Sequence, residues 1–167
     1  DYLGNMWFGT EGGGINKFDG FRIISYFHNP NNMTSILSNK VKVVYSDSKN
    51  NLWIGSTGGL NRYNMDLDNF EKFTHKDLKD PLGTVQDIVE DKNNRLWIGT
   101  SSGLYIYDLT TNHLQKFIND HEDTNSIPIT HAFKLMVDRN NDIWVSIFND
   151  GICIINQENQ KATFFRN

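Results

Sequence analysis

Five histidines, one cysteine and an aspartate that recurs at a fixed place are the side chains of this 167-residue chain that could do chemistry. His28 and His75 occupy equivalent places, each just after the last strand of a repeat. A repeated histidine suggests a ring of metal ligands, but geometry argues against it. A fourth strand lies three strand spacings of ~4.8 Å outside the first, so equivalent outer positions on neighbouring repeats stand ~15–20 Å apart. Metal bonds to histidine nitrogen need ~2 Å. His113, His121 and His131 fall in turns or at a strand start, with no ligand-like spacing, so no metal site is expected. Cys153 lies in an apolar run and reads as a small buried hydrophobe. A single cysteine excludes an intramolecular disulfide and a CxxC metal pair. Asp1, Asp47, Asp91 and Asp138 place one carboxylate at each first turn, which reads as turn capping rather than general acid chemistry. No pair of carboxylates is singled out, and no serine has a nucleophile-elbow context. The glycine-rich stretch at 10–14 lacks the strand–helix setting of a phosphate loop. No catalytic residue and no cofactor is expected.

The elements that carry these residues repeat. Four stretches share one pattern: DYLGNMWFG at 1–9, DSKNNLWIG at 47–55, DKNNRLWIG at 91–99 and DRNNDIWVS at 138–146. In each, the Asp stands six residues before a tryptophan, and Trp7, Trp53, Trp97 and Trp144 are spaced by 46, 44 and 47 residues. A fixed period of that length is the signature of a repeat architecture. In the second repeat, β-branched and aromatic residues at 41–46, 52–54, 60–63 and 70–73 read as strands. The polar stretch at 47–51 and the glycine-rich stretch at 55–59 read as turns. Short turns make neighbouring strands antiparallel. Four such strands per repeat are the cue for a β-propeller blade.

The predicted fold is therefore all-β: a β-propeller of nearly four four-stranded antiparallel blades. A partial propeller spans residues 1–167, with repeats at about 1–39, 40–81, 82–127 and 128–167. The tryptophans are expected to fill the space between consecutive blades. The first repeat opens at its Asp1 turn, so its innermost strand is not in the chain and fifteen strands are expected. That count implies a larger propeller, or chains assembling into one, so the expected partners are further blades or a second copy. The fourth repeat departs most from the pattern, with Ser146 in place of glycine. Loop position singles out Glu11, His28, Asn149 and Asp150 as candidate ligand contacts.

Composition narrows the function. A net charge of −4, from 16 basic and 20 acidic residues without a basic stripe, speaks against nucleic acid. No polybasic segment suggests a membrane surface, no run of 18 apolar residues exists to span one, and no signal peptide is visible. An aromatic content of 13% argues against disorder.

The pattern Asp-x-x-x-Asn-Leu-Trp-Ile-Gly-Thr/Ser-x-x-Gly-Leu-x-x-Tyr-Asp/Asn, plainest at 47–64 and 91–108, resembles the two-component-regulator propeller repeat. The linker at 34–39 is similar to that family's lead into the next repeat. The resemblance implies a segment of the periplasmic sensor region of a hybrid two-component system in Bacteroidetes-type bacteria. In that family the membrane helix, histidine kinase and DNA-binding output region follow, and the usual ligands are fragments of complex polysaccharides. An oligosaccharide ligand, a non-catalytic role and a periplasmic location are thus what the resemblance implies. Two other readings stand beside it: a propeller lyase resembling the streptogramin-inactivating enzymes, with His and Glu near a metal, and a protein-interaction scaffold.

Overall fold

The computed structural model describes residues 1–78, 80–117, 129–159 and 161–166. The expected loop at 119–126, with His121, and the end of the strand expected over 114–118 lie outside these residues. Among the described residues there are fifteen strands in four antiparallel sheets. The first sheet holds β1 (Met6–Gly9), β2 (Ile15–Phe18) and β3 (Ile23–Tyr26). The second holds β4 (Val41–Ser46), β5 (Leu52–Ser56), β6 (Gly59–Asn64) and β7 (Asn69–Lys72). The third holds β8 (Val85–Glu90), β9 (Arg95–Thr100), β10 (Gly103–Asp108) and β11 (His113–Lys116). The fourth holds β12 (Ala132–Val137), β13 (Ile143–Ile147), β14 (Gly151–Ile155) and β15 (Ala162–Phe165). Each sheet is a meander in chain order.

The chain divides into two compact units, residues 1–76 with 80–85 and residues 77–79 with 86–167. In the first unit Ile15, Ile36, Val41, Leu52, Ile54, Tyr63 and Phe70 form the core, with Trp7, Tyr26 and Val44 packed against it. In the second, Trp97, Leu104 and Ile106 of the third sheet meet Leu135, Ile143, Val145 and Ile147 of the fourth. Cys153 belongs to that core and is fully buried, as its apolar setting predicts.

The repeated aspartate does more than cap its turn. Its Oδ1 accepts the backbone N–H groups two and four residues on, at 3.0 and 2.8 Å for Asp47. Its Oδ2 accepts the tryptophan indole N–H six residues on. That second bond is 2.8 Å at Asp1–Trp7, Asp47–Trp53 and Asp91–Trp97, and 3.1 Å at Asp138–Trp144. The residue three past each Asp takes left-handed backbone angles: Gly4, Asn50, Asn94 and Asn141 have φ of 85°, 65°, 58° and 73°. Glycine and asparagine tolerate that region best. Sequence reasoning found the cap and missed the indole.

Trp53 and Trp97 are buried, whereas Trp7 and Trp144 are half-buried. Within the first unit Trp7 fills the space between two sheets as predicted, its ring 4.7 Å edge-on from that of Tyr63. Trp97 does the same in the second unit.

One expectation fails in an informative way. The stretch at 55–59 is not a five-residue turn, because Gly55 and Ser56 belong to β5 and Gly59 to β6. Gly55 is there for space. A Cβ on it would stand 2.5 Å from Val43 Cγ1 and 2.6 Å from Val85 Cγ1. The equivalent Gly9 would meet Val41 Cγ1 at 2.5 Å. The glycine two residues after the tryptophan thus lets valines of the inner strands approach the sheet.

Candidate functional site

In the second unit, the turn from β13 to β14 is Phe148-Asn149-Asp150. It is fixed by a bond from Asp150 N to Ile147 O of 3.2 Å and by left-handed angles at Asn149 and Gly151 (φ 59° and 86°). A Cβ on Gly151 would stand 2.2 Å from Phe165 O, so only glycine fits there. The turn lifts the Phe148 ring into solvent, 56% exposed. His131 stacks beside it, ring centroids 5.3 Å apart and planes at 30°, and its carbonyl accepts the Phe148 N–H at 3.2 Å. The Phe133 ring stands 6.4 Å from that of Phe148 and is itself 43% exposed.

Phe133 is there because of a β-bulge. The β12–β13 register jumps between Ala132 and Lys134, which leaves Phe133 as the extra residue. Bulges re-aim side chains and are frequent beside functional sites. The polar edge of the shelf is Asn149, with Asp150 paired to Arg166 Nε at 3.2 Å. Three neighbouring rings with hydrogen-bonding groups at one end form a surface that can stack on a flat apolar face and bond its polar rim.

The first unit has the same design with different chemistry. The β4–β5 register jumps between Val41 and Val43, leaving Lys42 as the bulge residue. Its Nζ meets Glu11 Oε2, in the turn between β1 and β2, at 2.6 Å. That bond holds the Glu11 carboxyl below its ordinary pKa. His28 is tied to the linker that follows β3: its N–H donates to Asn39 Oδ1 at 2.7 Å, and its Nδ1 lies 2.7 Å from Ile36 O. The four loop residues singled out from sequence therefore divide, with Glu11 and His28 in one unit and Asn149 and Asp150 in the other. Sequence reasoning missed Phe133, Phe148 and His131. The signal was internal comparison: ten residues past the repeated Asp stand Glu11, Thr57, Ser101 and Phe148, and five before it stand Lys42, Gln86 and Phe133.

The first unit also holds a polar–aromatic knot. Tyr26 donates to Asp68 Oδ1 at 2.6 Å, Tyr63 donates to the same oxygen, and Lys17 Nζ lies 3.9 Å from it. Lys17 also sits over the Trp7 and Tyr63 rings, at 5.5 and 5.6 Å. Burial, reinforced by the Asp68 carboxylate, pushes the Tyr26 phenol up to about 12 and Tyr63 higher still. Burial works against the Asp68 charge, but the two hydroxyls and Lys17 outweigh it and hold that carboxyl low. Beside this knot, and sharing Tyr63 with it, a polar cleft of about 400 Å³ includes Lys49, Arg62, Asn64, Asp66 and Glu71. Among the described residues no three His, Cys, Asp or Glu side chains gather to hold a metal, and no helix is long and apolar enough to cross a membrane.

Residues 35–58 and 80–102 match the two component regulator propeller. No curated protein matches the chain in sequence. Among solved structures, the chain resembles the extracellular domain of BT4673 from B. thetaiotaomicron, described both as a hybrid two component and as a one component system. It is 22% identical, with a TM-score of 0.80, over 99% of this chain and 24% of that one. It also resembles the extracellular domain of BT3049 from the same organism, described as a hybrid two component system (18% identity, TM-score 0.59, 98% and 27% coverage). Virginiamycin B lyase from Staphylococcus aureus is a third (14% identity, TM-score 0.68, 100% and 53% coverage). At these identities the likeness shows the fold, and the sheets are β-propeller blades. The chain spans about a quarter of the length of the two extracellular domains.

Proposed function

We propose that this chain is a non-catalytic, ligand-sensing propeller segment of a hybrid two-component sensor histidine kinase, and that it detects poly- or oligosaccharide fragments in the periplasm. The two matched repeats and the likeness to extracellular domains described as two component systems support the sensor reading. The observation that carries the ligand class is the exposed shelf of His131, Phe133 and Phe148 with its Asn149 and Asp150–Arg166 edge. A pyranose offers an apolar face of C–H groups and a polar rim of hydroxyls, and the shelf offers the complement of each.

The test is a thermal-shift screen against plant, host and microbial oligosaccharides. A ligand at about 100 times its Kd adds ~2.7 kcal/mol, which moves the midpoint by several degrees. The expected result is a shift with one sugar class, the sugar recovered unaltered. Phe148→Ala should abolish the shift while leaving the unliganded midpoint almost unchanged, since the ring is 56% exposed. Silence towards every sugar rejects the carbohydrate reading. The likeness to virginiamycin B lyase favours a second reading, a lyase, and recovery of a cleaved compound would select it.

A further inference from the structure

We propose that Asp87 and Ser146 are positioning residues for the aromatic shelf: they grip the bulge in β12 and so hold the Phe133 ring beside that of Phe148. This role rests on the shelf being the ligand surface proposed above. β12 presents two backbone N–H groups straight after Phe133, and each donates to a side chain. Lys134 N donates to Ser146 Oγ at 2.9 Å, and Leu135 N donates to Asp87 Oδ2 at 3.1 Å. Ser146 lies on β13 of the same sheet and Asp87 on β8 of the third, so the bulge is gripped from two strands.

Asp87 is a firm acceptor. Its side chain is 15% exposed, so water competes little for it, and its Oδ1 accepts the Ile88 N–H at 3.1 Å. The Lys134 ammonium, on the bulged strand, lies 3.5 Å from the oxygen that holds Leu135. Ser146 stands where the first three repeats have Gly9, Gly55 and Gly99. Glycine has no side chain to offer, so the one departure from the repeat at this position is also the one that supplies an acceptor for Lys134.

The first unit shows what such a grip replaces. β4 also bulges, and there Gly55 stands opposite Val43 at the place of Ser146. A bulge by itself therefore needs no hydroxyl. Its extra residue, Lys42, is held by its own ammonium, bonded to Glu11 at 2.6 Å. Phe133 has no polar atom to bond and is 43% exposed, so neither a head group nor burial fixes it. Its place is set through the backbone that carries it. His131 differs, because the bond from Phe148 N to His131 O ties that pair directly. Phe133 is thus the member of the shelf whose position depends on Asp87 and Ser146.

Nuclear Overhauser contacts between ring protons of the full chain test this without any sugar. Ser146→Ala, alone and combined with Asp87→Ala, should lose the Phe133–Phe148 contact and keep the His131–Phe148 contact. Ser146→Thr, which retains the hydroxyl, should keep both. An undiminished Phe133–Phe148 contact in the double variant overturns the proposal. So does loss of both contacts together, which would mark a general loosening of the sheet. The panel of plant, host and microbial oligosaccharides gives the second readout. Any sugar that shifts the wild-type midpoint should bind the Ser146→Ala variant about fivefold more weakly, the worth of one hydrogen bond. Equal affinity overturns the positioning role. A panel silent towards the wild type rejects the carbohydrate reading alone, and the ring contacts still decide whether Asp87 and Ser146 hold Phe133.

Discussion

Asp91 shows how much one side chain settles in this fold. It is 4% exposed, accepts the Trp97 indole and two backbone N–H groups, and is paired with Arg95 Nε at 2.8 Å. Asp91→Ala leaves a buried indole N–H without its acceptor, a penalty of ~1–3 kcal/mol before the turn is counted. Chemical denaturation should show that loss, whereas Asp91→Asn, which keeps an acceptor oxygen, should lose less. The tyrosine knot gives a second residue-scale prediction. Phenols whose folded pKa is raised contribute stability that is complete below the unfolded value of ~10 and lost as pH climbs through the folded value. For Tyr26 that window closes at about 12. Phenolate absorbance should therefore show Tyr26 and Tyr63 ionising late, together with alkaline unfolding, and Asp68→Asn should bring both forward.

At the scale of the element, the strands are short, and close approach between sheets holds them. Gly55→Ala places a Cβ 2.5 Å from Val43 and 2.6 Å from Val85, so it should cost ~1–3 kcal/mol by overpacking. Val43→Ala in the same chain should return part of that, a coupling that a double-mutant cycle measures. The cores between sheets depend on the tryptophans. Trp97 is fully buried against the fourth sheet, and Trp97→Ala should cost ~3–5 kcal/mol in equilibrium unfolding. This scale also shows where sequence reasoning reached its limit. The turn residues at 47–51 were legible because asparagine and aspartate act locally on their own backbone. The glycine at 55 was misread because its reason lies on other strands. Phe133 and Phe148 carry no local signal, because a bulge, set by pairing with β13, decides that Phe133 faces solvent.

For the whole molecule, the net charge of −4 includes carboxyls whose native environment prefers the ionised form. Asp19 and Asp108 are held low chiefly by backbone N–H donors, Asp138 by the Trp144 indole, and Glu71 by Arg62 and Asn64. Groups with depressed folded pKa values contribute stability that is present above the unfolded value of ~4 and lost as pH falls through the folded one. The melting midpoint should hold steady from pH 7 to about 5 and fall steeply below about 4. Asp138→Asn should flatten that acid limb, since one of the groups that takes up a proton is gone.

By itself the sequence determined the architecture. The period, the Asp-to-Trp spacing and the turn residues are local or repeated signals, and together they require four-stranded antiparallel blades with tryptophans between them. Only the tertiary structure decided that the repeated aspartate holds the indole, that Glu11 spends its charge on Lys42, and that three rings meet beside Asn149 and Asp150. Each of those depends on which strands lie side by side and on where a register slips. The first and third form within one repeat, across its turns and paired strands, and the second joins two repeats, so none can be read from the order of residues alone.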